Sequence, residues 1–252
     1  MEGRCLLIPQ NDMAQVLTKR KKQIKEIIGD KKLFTPQEAV KTLKELSEKI
    51  KTKFDQAVEL SVRLGIDPKQ SDQQVRSAVA LPGGTGKSLK IAVITRGEKE
   101  KEAKVAGAEH VGSEEMIEKI EKGWMDFDKL VVTPDIMAQI AKLGKLLGPK
   151  GLMPNPKDGT VTTDLTKAIK ELKAGKASFR AEKDSGIVHV AMGKISFDEK
   201  ALLQNFNVLI EAIRKAKPTG AKGTYMKSVY LSTTMGPGLK IDLSALDEHE
   251  EE

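Results

Sequence analysis

The stretch Gly83-Gly84-Thr85-Gly86-Lys87-Ser88 is the first place where residue types and spacing suggest chemistry. Glycines ahead of Lys-Ser can cradle phosphates on backbone amides at the start of a helix. The full pattern needs a glycine five residues before the glycine of Gly-Lys-Ser, and Leu81 stands there. The residues that follow, Leu89–Thr95, read as an apolar strand and not a helix. A tight hairpin-type turn is the better reading, and a nucleotide-binding enzyme built on the middle of the chain remains the alternative.

No other constellation suggests catalysis. No GxGxxG follows a strand, and no Ser–His–Asp or Cys–His arrangement stands out. Asp and Glu are plentiful, but they sit four residues from Lys on helical faces. The single cysteine, Cys5, excludes a disulfide framework and a cysteine-based zinc site. Three histidines, His110, His189 and His249, are too scattered for a His-rich metal site. The expectation is no catalytic residue, no metal, no cofactor and no small-molecule substrate. No run of about eighteen apolar residues would span a membrane, and the N-terminus lacks the plan of a signal peptide. A cytoplasmic protein is expected.

The residues that could meet RNA lie elsewhere. Lys53-Phe54 opens a strand, and Ser232-Thr233-Thr234-Met235-Gly236-Pro237-Gly238 closes one. Hydroxyls can reach 2′-hydroxyls, and glycine lets a backbone approach sugar edges, although by composition alone a polar turn is the simpler reading. His189 sits in an alternating strand, as a polar face residue or as an RNA contact; its sequence context leaves both open.

Across the 252 residues, 43 Lys and Arg against 36 Asp and Glu give a net charge of +7. Residues 1–70 hold 15 basic and 10 acidic residues, 71–158 hold 14 and 13, 159–244 hold 14 and 8, and the tail 245–252 holds five acids and no base. The basic excess belongs to the two outer segments, with a nearly neutral stretch between them. Lys-rich helices are often plain solvated faces, but two basic flanks also fit one composite polyanion-binding unit.

The elements that must position these residues follow from periodicity. Lys19–Lys32 is a basic helix or arm. Thr35-Pro36-Gln37-Glu38 opens a helix to about Lys51, with Thr35 as cap, Pro36 in the first turn and Glu38 three residues after the cap. Phe54–Leu64 alternates as a strand, and Val75–Leu81 is a short one. The middle alternates strands (89–95, 110–112, 130–133) with helices (98–108, 113–122, 135–143), the signature of a small parallel sheet between helices. Residues 144–160 are dense in Gly and Pro and are expected to lack regular structure. A helix at 165–174, a hairpin of 178–182 with 187–192, a long amphipathic helix at 198–216 and a strand at 228–234 complete the chain.

Several segments together resemble one family. Leu147–Lys157 (LGPKGLMPNPK), Leu64–Gln74 (LGIDPKQSDQQ), Lys122–Asp128 (KGWMDFD), Lys217–Tyr225 (KPTGAKGTY) and Thr233–Gly236 (TTMG) stand in the order and spacing of the large-subunit ribosomal protein L-one family. Gly148, Pro149, Lys150, Gly151, Pro154 and Asn155 carry its signature loop. The resemblance covers about Leu17 to Leu243. It implies an α/β protein of two domains: a split α+β sandwich from both termini (19–70 plus 159–244) and an inserted three-layer, Rossmann-like α/β domain (71–158). An N-terminal extension (1–18), for which Met13 is a second candidate start, and an acidic tail (245–252) flank them. With one Arg, Glu2 and Asp12, the extension does not resemble a transit peptide.

The resemblance further implies direct binding of large-subunit rRNA, a place in the mobile stalk beside the ribosomal exit (E) site, contact with deacylated tRNA there, and repression of the protein's own operon mRNA. The rRNA surface it implies comprises Lys53, Phe54, Glu59, His189, Ser228, Thr234, Met235 and Gly236. The hinge it implies runs through Gly65, Asp67, Pro68, Pro156 and Gly159.

Overall fold

The computed structural model describes residues 18–29, 31–50, 52–96, 99–182 and 184–244. The expectations for the extension and the acidic tail fall outside the described residues, Thr18 apart. Thr18 caps α1 (Lys19–Ile28), its hydroxyl accepting from the Lys21 amide at 3.4 Å.

Helix α2 (Pro36–Lys49) starts where the capping pattern places it. The Thr35 hydroxyl accepts from the Glu38 amide at 3.3 Å, and the Glu38 carboxylate accepts from the Thr35 amide at 3.2 Å. Lys31 sits 2.8 Å from Glu38 and, with the Thr35 amide, holds that carboxyl below its ordinary pKa. The helix buries Ala39, Val40, Leu43 and Leu46, the stripe its spacing predicts.

That stripe packs on a four-stranded antiparallel sheet of β1 (Ala57–Leu64), β7 (Ile187–Lys194), β8 (Met226–Thr233) and β9 (Leu239–Ile241), in the order β7-β1-β8-β9. The long helix α8 (Glu199–Lys215) covers the same face and buries Leu202, Phe206, Leu209, Ile210 and Ile213. A two-stranded ribbon of β2 (Arg76–Ala80) and β6 (Lys176–Arg180) extends this core through Val75, Leu81 and Phe179.

The middle of the chain forms three layers. Strands β3 (Ile91–Ile94), β4 (His110–Gly112) and β5 (Lys129–Val132) make a parallel sheet in the order β4-β3-β5. One face packs α4 (Glu114–Glu121), α5 (Met137–Ala141) and α6 (Gly144–Leu147) against Ala92, Ile94, Leu130 and Val132. The other packs α3 (Lys99–Val105) and α7 (Leu165–Lys173) against Ile91, Val93 and Val131. Burial on both faces is why β3 and residues 130–132 of β5 read as unbroken apolar runs.

Four sequence expectations change. Strand β1 begins at Ala57, so Phe54 lies on the approach to the strand. Residues 144–160 are not without regular structure: α6 and a 3₁₀ turn at Pro156–Asp158 lie within them. The strand at 176–180 pairs with β2, and a single bridge, Ala181 to Val188, joins it to β7, while β7 pairs in full with β1. Strand β9 has no forerunner in the sequence reading.

The boundaries also move. Val75, Val79 and Leu81 pack in the outer core, whereas Leu165, Ala168, Ile169 and Leu172 pack on the parallel sheet. The chain therefore crosses between the two packed units near 82–88 and 174–175, not near 70 and 159. The residues expected to form a hinge are tied down instead. The Gly65 amide donates to the Tyr225 carbonyl at 2.6 Å, and a side chain there would meet the Thr224 carbonyl at 2.3 Å. The Asp67 amide donates to Gln73 at 2.9 Å, and the Gly159 amide to the Pro156 carbonyl at 3.0 Å. At the crossing, Gly175 has φ +105° and a Cβ on it would stand 2.6 Å from the Gly84 Cα, so glycine is required there on both counts.

Asn205, fully buried on α8, joins three backbone groups. Its amide donates to the carbonyls of Met192 (2.8 Å) and Gly84 (3.1 Å), and its oxygen accepts from the Gly83 amide at 2.9 Å. The Asn205→Ala variant leaves all three unpaired and is expected to lose about 3 kcal/mol of stability in urea unfolding. Tyr225 donates to the Ile213 carbonyl at 3.1 Å, and burial pushes its phenol up to about 12 from 10.0. Its contribution is whole below pH 10.0 and declines from there to about 12, because only the unfolded chain releases the proton in that window. The urea midpoint should fall with rising pH across that window, and Tyr225→Phe should flatten the fall.

Candidate nucleic-acid interface

Alternation along the outer sheet leaves one face without helices. On β1, Val58, Leu60, Val62 and Leu64 point into the core, and Ala57, Glu59, Ser61 and Arg63 point out. Register then fixes three rows across the open face. Glu59 lies between Ala191 and Ser232. Ser61 lies between His189 and Tyr230, with Lys240 beyond. Arg63 lies between Ile187 and Ser228. Glu59, His189 and Ser228 thus share one surface although they come from three distant segments.

His189 is held in place. Its Nδ1 is 3.0 Å from the Ser61 hydroxyl, and its Nε2 is 3.8 Å from Glu182. Glu182 also accepts from Ser185 at 2.7 Å. At the end of the face where β1 starts and β8 stops, Phe54 and Met235 project into solvent, 52% and 50% exposed. Two large apolar side chains this exposed at the same end of one sheet mark that end as a candidate contact patch.

The turn carrying Met235 is rigid. The Thr234 amide donates to the Ala57 carbonyl at 3.0 Å, and the Thr234 hydroxyl accepts from the Ala57 amide at 3.0 Å. The Gly236 amide closes the turn onto Thr233 at 2.9 Å, and a Cβ on Gly236 would meet the Thr233 hydroxyl at 2.2 Å. The Met235 amide donates to Gln56 Oε1 at 3.1 Å, and its carbonyl accepts from Arg20 on α1. Gln56 is buried and its amide reaches Thr52 at 3.3 Å, so one side chain fixes both edges of the patch. The hydroxyl of Thr234, a residue the resemblance places on the rRNA surface, is spent on β1.

Sequence reasoning missed Arg20, Gln56, Ser61, Arg63, Tyr230 and Lys240. The outward positions of β1 and β8 were available from their alternation. The roles of Gln56 and Arg20 were not, because each depends on a contact far along the chain.

The signature loop lies elsewhere, closing the core of the parallel sheet. Leu147 and Pro154 are buried, and Leu152 and Met153 pack beneath the helices. Gly151 takes φ +69°, and Gly148 and Gly151 bond back along the chain to Gly144 and Gly148 at 2.9 and 3.1 Å. Asn155 orders the following turn through the Lys157 amide at 3.2 Å and the Thr160 hydroxyl at 2.7 Å. Pro149 and Lys150 are exposed at its tip.

The glycine-rich stretch at 83–88 forms no phosphate loop. The Gly83 and Gly84 amides are spent on Asn205 and the Leu81 carbonyl, and no helix follows. At the carboxyl end of the parallel strands, where nucleotides bind in such sheets, the Glu114 carboxylate accepts from both Arg96 and Gln139. Among the described residues, no group of three or more His, Cys, Asp or Glu side chains could hold a metal ion. No helix there is long and apolar enough to cross a membrane.

The chain is a mixed α/β protein whose outer sheet keeps one open, half-polar face with exposed apolar side chains at its end. The sequence model of the ribosomal protein L1p/L10e family matches residues 43–237, and the chain belongs to that family. It is 57% identical over 221 residues to the large ribosomal subunit protein uL1 of Prochlorococcus marinus strain MIT 9303, covering 88% of this chain and 92% of the relative. It is 54% identical over 226 residues to the uL1 of Macrococcus caseolyticus, covering 90% and 96%. It is 52% identical over 230 residues to that of Gloeobacter violaceus, covering 91% and 95%.

Replacing Gln56 with leucine strips the Met235 amide of its acceptor. In Gln56→Leu that amide should exchange with solvent about tenfold faster or more, measured by hydrogen exchange on the full chain.

Proposed function

We propose that this protein is a structural component of the large ribosomal subunit, located on the cytoplasmic ribosome, and that it binds large-subunit rRNA directly through the open face of the outer sheet. The observation that carries the reading is the convergence of Phe54, Glu59, His189, Ser228 and Met235 from three separate segments on one rigid, helix-free surface. Phe54 and Met235 pack on sugars, Glu59 and Ser228 meet 2′-hydroxyls, and Lys53, Arg63 and Lys240 meet phosphates. Charge supports the same unit. Redrawn at the crossings, residues 19–81 and 175–244 hold 26 basic and 15 acidic residues, against 16 and 14 for 82–174.

In this reading the outer unit anchors the protein on rRNA. The middle unit extends into the mobile stalk beside the exit site and assists release of deacylated tRNA. The pivot is the pair of crossings near 82–88 and 174–175. The same face also takes a like-folded structure in the protein's own operon mRNA and represses its translation.

Footprinting total RNA with the purified chain should protect one structured region of large-subunit rRNA, and added protein should sediment with large subunits that lack it. Met235→Glu should lower that affinity by about tenfold or more, since it sets a carboxylate against the backbone of a folded RNA. Undiminished binding by Met235→Glu and Phe54→Ala would remove the sheet face from consideration. The operon mRNA and the rRNA fragment should compete for the chain.

A further inference from the structure

Helix α1 carries positive charge that no described residue balances. Its first turn holds Lys19, Arg20, Lys21 and Lys22 and no acidic residue, at the end of a helix where the dipole disfavours cations. Lys21 and Lys25 stand one helical turn apart, and like charges at that spacing repel. Neither has a carboxylate partner among the described residues. Arg20 donates to the Met235 carbonyl, which leaves the rest of its five N–H groups for other acceptors.

These cations are gathered at one place. Arg20, Lys21 and Lys25 line a cleft of about 460 Å³ between α1 and the turn that follows β8. Its remaining walls include Ile24, Met235 and Pro237, which are apolar. Ion pairs formed over such a floor are stronger than pairs in open water. The chain itself holds a segment of matching charge. Residues 245–252 (ALDEHEEE) carry five acids and no base. They are also long enough. The seven residues from Pro237 to Ser244 span at most about 25 Å, and the eight beyond Ser244 extend to about 28 Å, so the tail can return to the cleft from the end of β9. The other terminus lacks the charge, with Glu2 and Asp12 against Arg4 in residues 1–17.

We propose that the acidic segment 245–252 docks in this cleft, its carboxylates pairing with Arg20, Lys21 and Lys25, and that it shields the basic helix from non-cognate polyanions. A tethered segment acts at a high effective concentration, so contacts too weak to hold a free peptide suffice within one chain. A loose single strand must displace the segment for the gain of a few phosphate contacts. A partner that also matches the rest of the surface in shape brings further binding energy and displaces it readily. The segment thereby raises selectivity by penalising the wrong partner. The docking belongs to α1 and the turn after β8, and it stands whether or not the open sheet face binds rRNA.

The test compares the full chain with the neutral-tail variant Asp247→Asn/Glu248→Gln/Glu250→Gln/Glu251→Gln/Glu252→Gln. By NMR, the amide resonances of Arg20–Lys25, Met235 and Gly236 should differ between the two chains. The difference should vanish in about 1 M salt, where the screening length is about 3 Å. Labelled oligothymidylate, followed by fluorescence anisotropy at about 50 mM salt, should bind the neutral-tail variant about tenfold tighter or more. Introducing Lys21→Gln/Lys25→Gln into both chains should abolish most of that gain, because the segment then has no cations to dock on. Unchanged resonances at the cleft would overturn the proposal. So would a gain that persists in full beside Lys21→Gln/Lys25→Gln, which would mark repulsion by an undocked tail. Equal oligothymidylate binding by the two chains would overturn the shielding. Cleft resonances that move on removal of residues 1–17, and not on neutralising 245–252, would assign the cleft to the other terminus and overturn it too.

Discussion

Everything in the outer unit depends on the pairing of β1 on both edges. Val62 lies between Val188 and Val229, partners well over a hundred residues later in the chain. The sheet cannot close until the chain has passed through the middle unit and returned. Loop-closure entropy makes such non-local pairing costly and slow, and a compact insertion that folds on its own contacts shortens the effective loop. The two crossings must then lie side by side, and the close contact of Gly175 with Gly84, tied by Asn205, is where that requirement is met.

The same pairing makes the interface. A strand with partners on both sides and helices on one face has its remaining side chains fixed in rows at the spacing of the pleat. Rigidity is what a surface needs to recognise a folded RNA by shape, because the ordering entropy is spent in folding and not again in binding. Gln56 and the Thr234 hydroxyl extend this rigidity from the sheet to the turn of Met235. The two exposed apolar residues are thereby presented in one fixed geometry, and the low aromatic content of the chain is no handicap to binding through sugars and backbone.

Legibility in the sequence differs sharply among elements. Helix α2 is legible to the residue at its start, because a capping box and an N-terminal proline are local chemistry. The central parallel strand is legible because burial on both faces leaves no polar position in Ile91–Ile94. The start of β1 is misread at Phe54, since an exposed phenylalanine in a contact patch looks like a strand residue when only its type is considered. The place of α7 is misread too. Its stripe of Leu165, Ala168, Ile169 and Leu172 says that it is buried, but not on which sheet. Of the interface, the family's motif residues are legible, whereas Gln56 and Arg20 emerge only once register is known.

By itself the sequence determined the fold class, most of the elements, the basic excess of the outer segments and the family, since all of these rest on periodicity, local capping, charge counts and runs of neighbouring residues. Only the tertiary structure decided which hydroxyl is free, which glycines mark the crossing, where the hinge residues are tied down, and that two arginines more than a hundred positions apart stand opposite each other in one strand pair. These are properties of pairs of residues distant in the chain, and their distance is set by strand register and helix packing, which no local pattern of residues encodes.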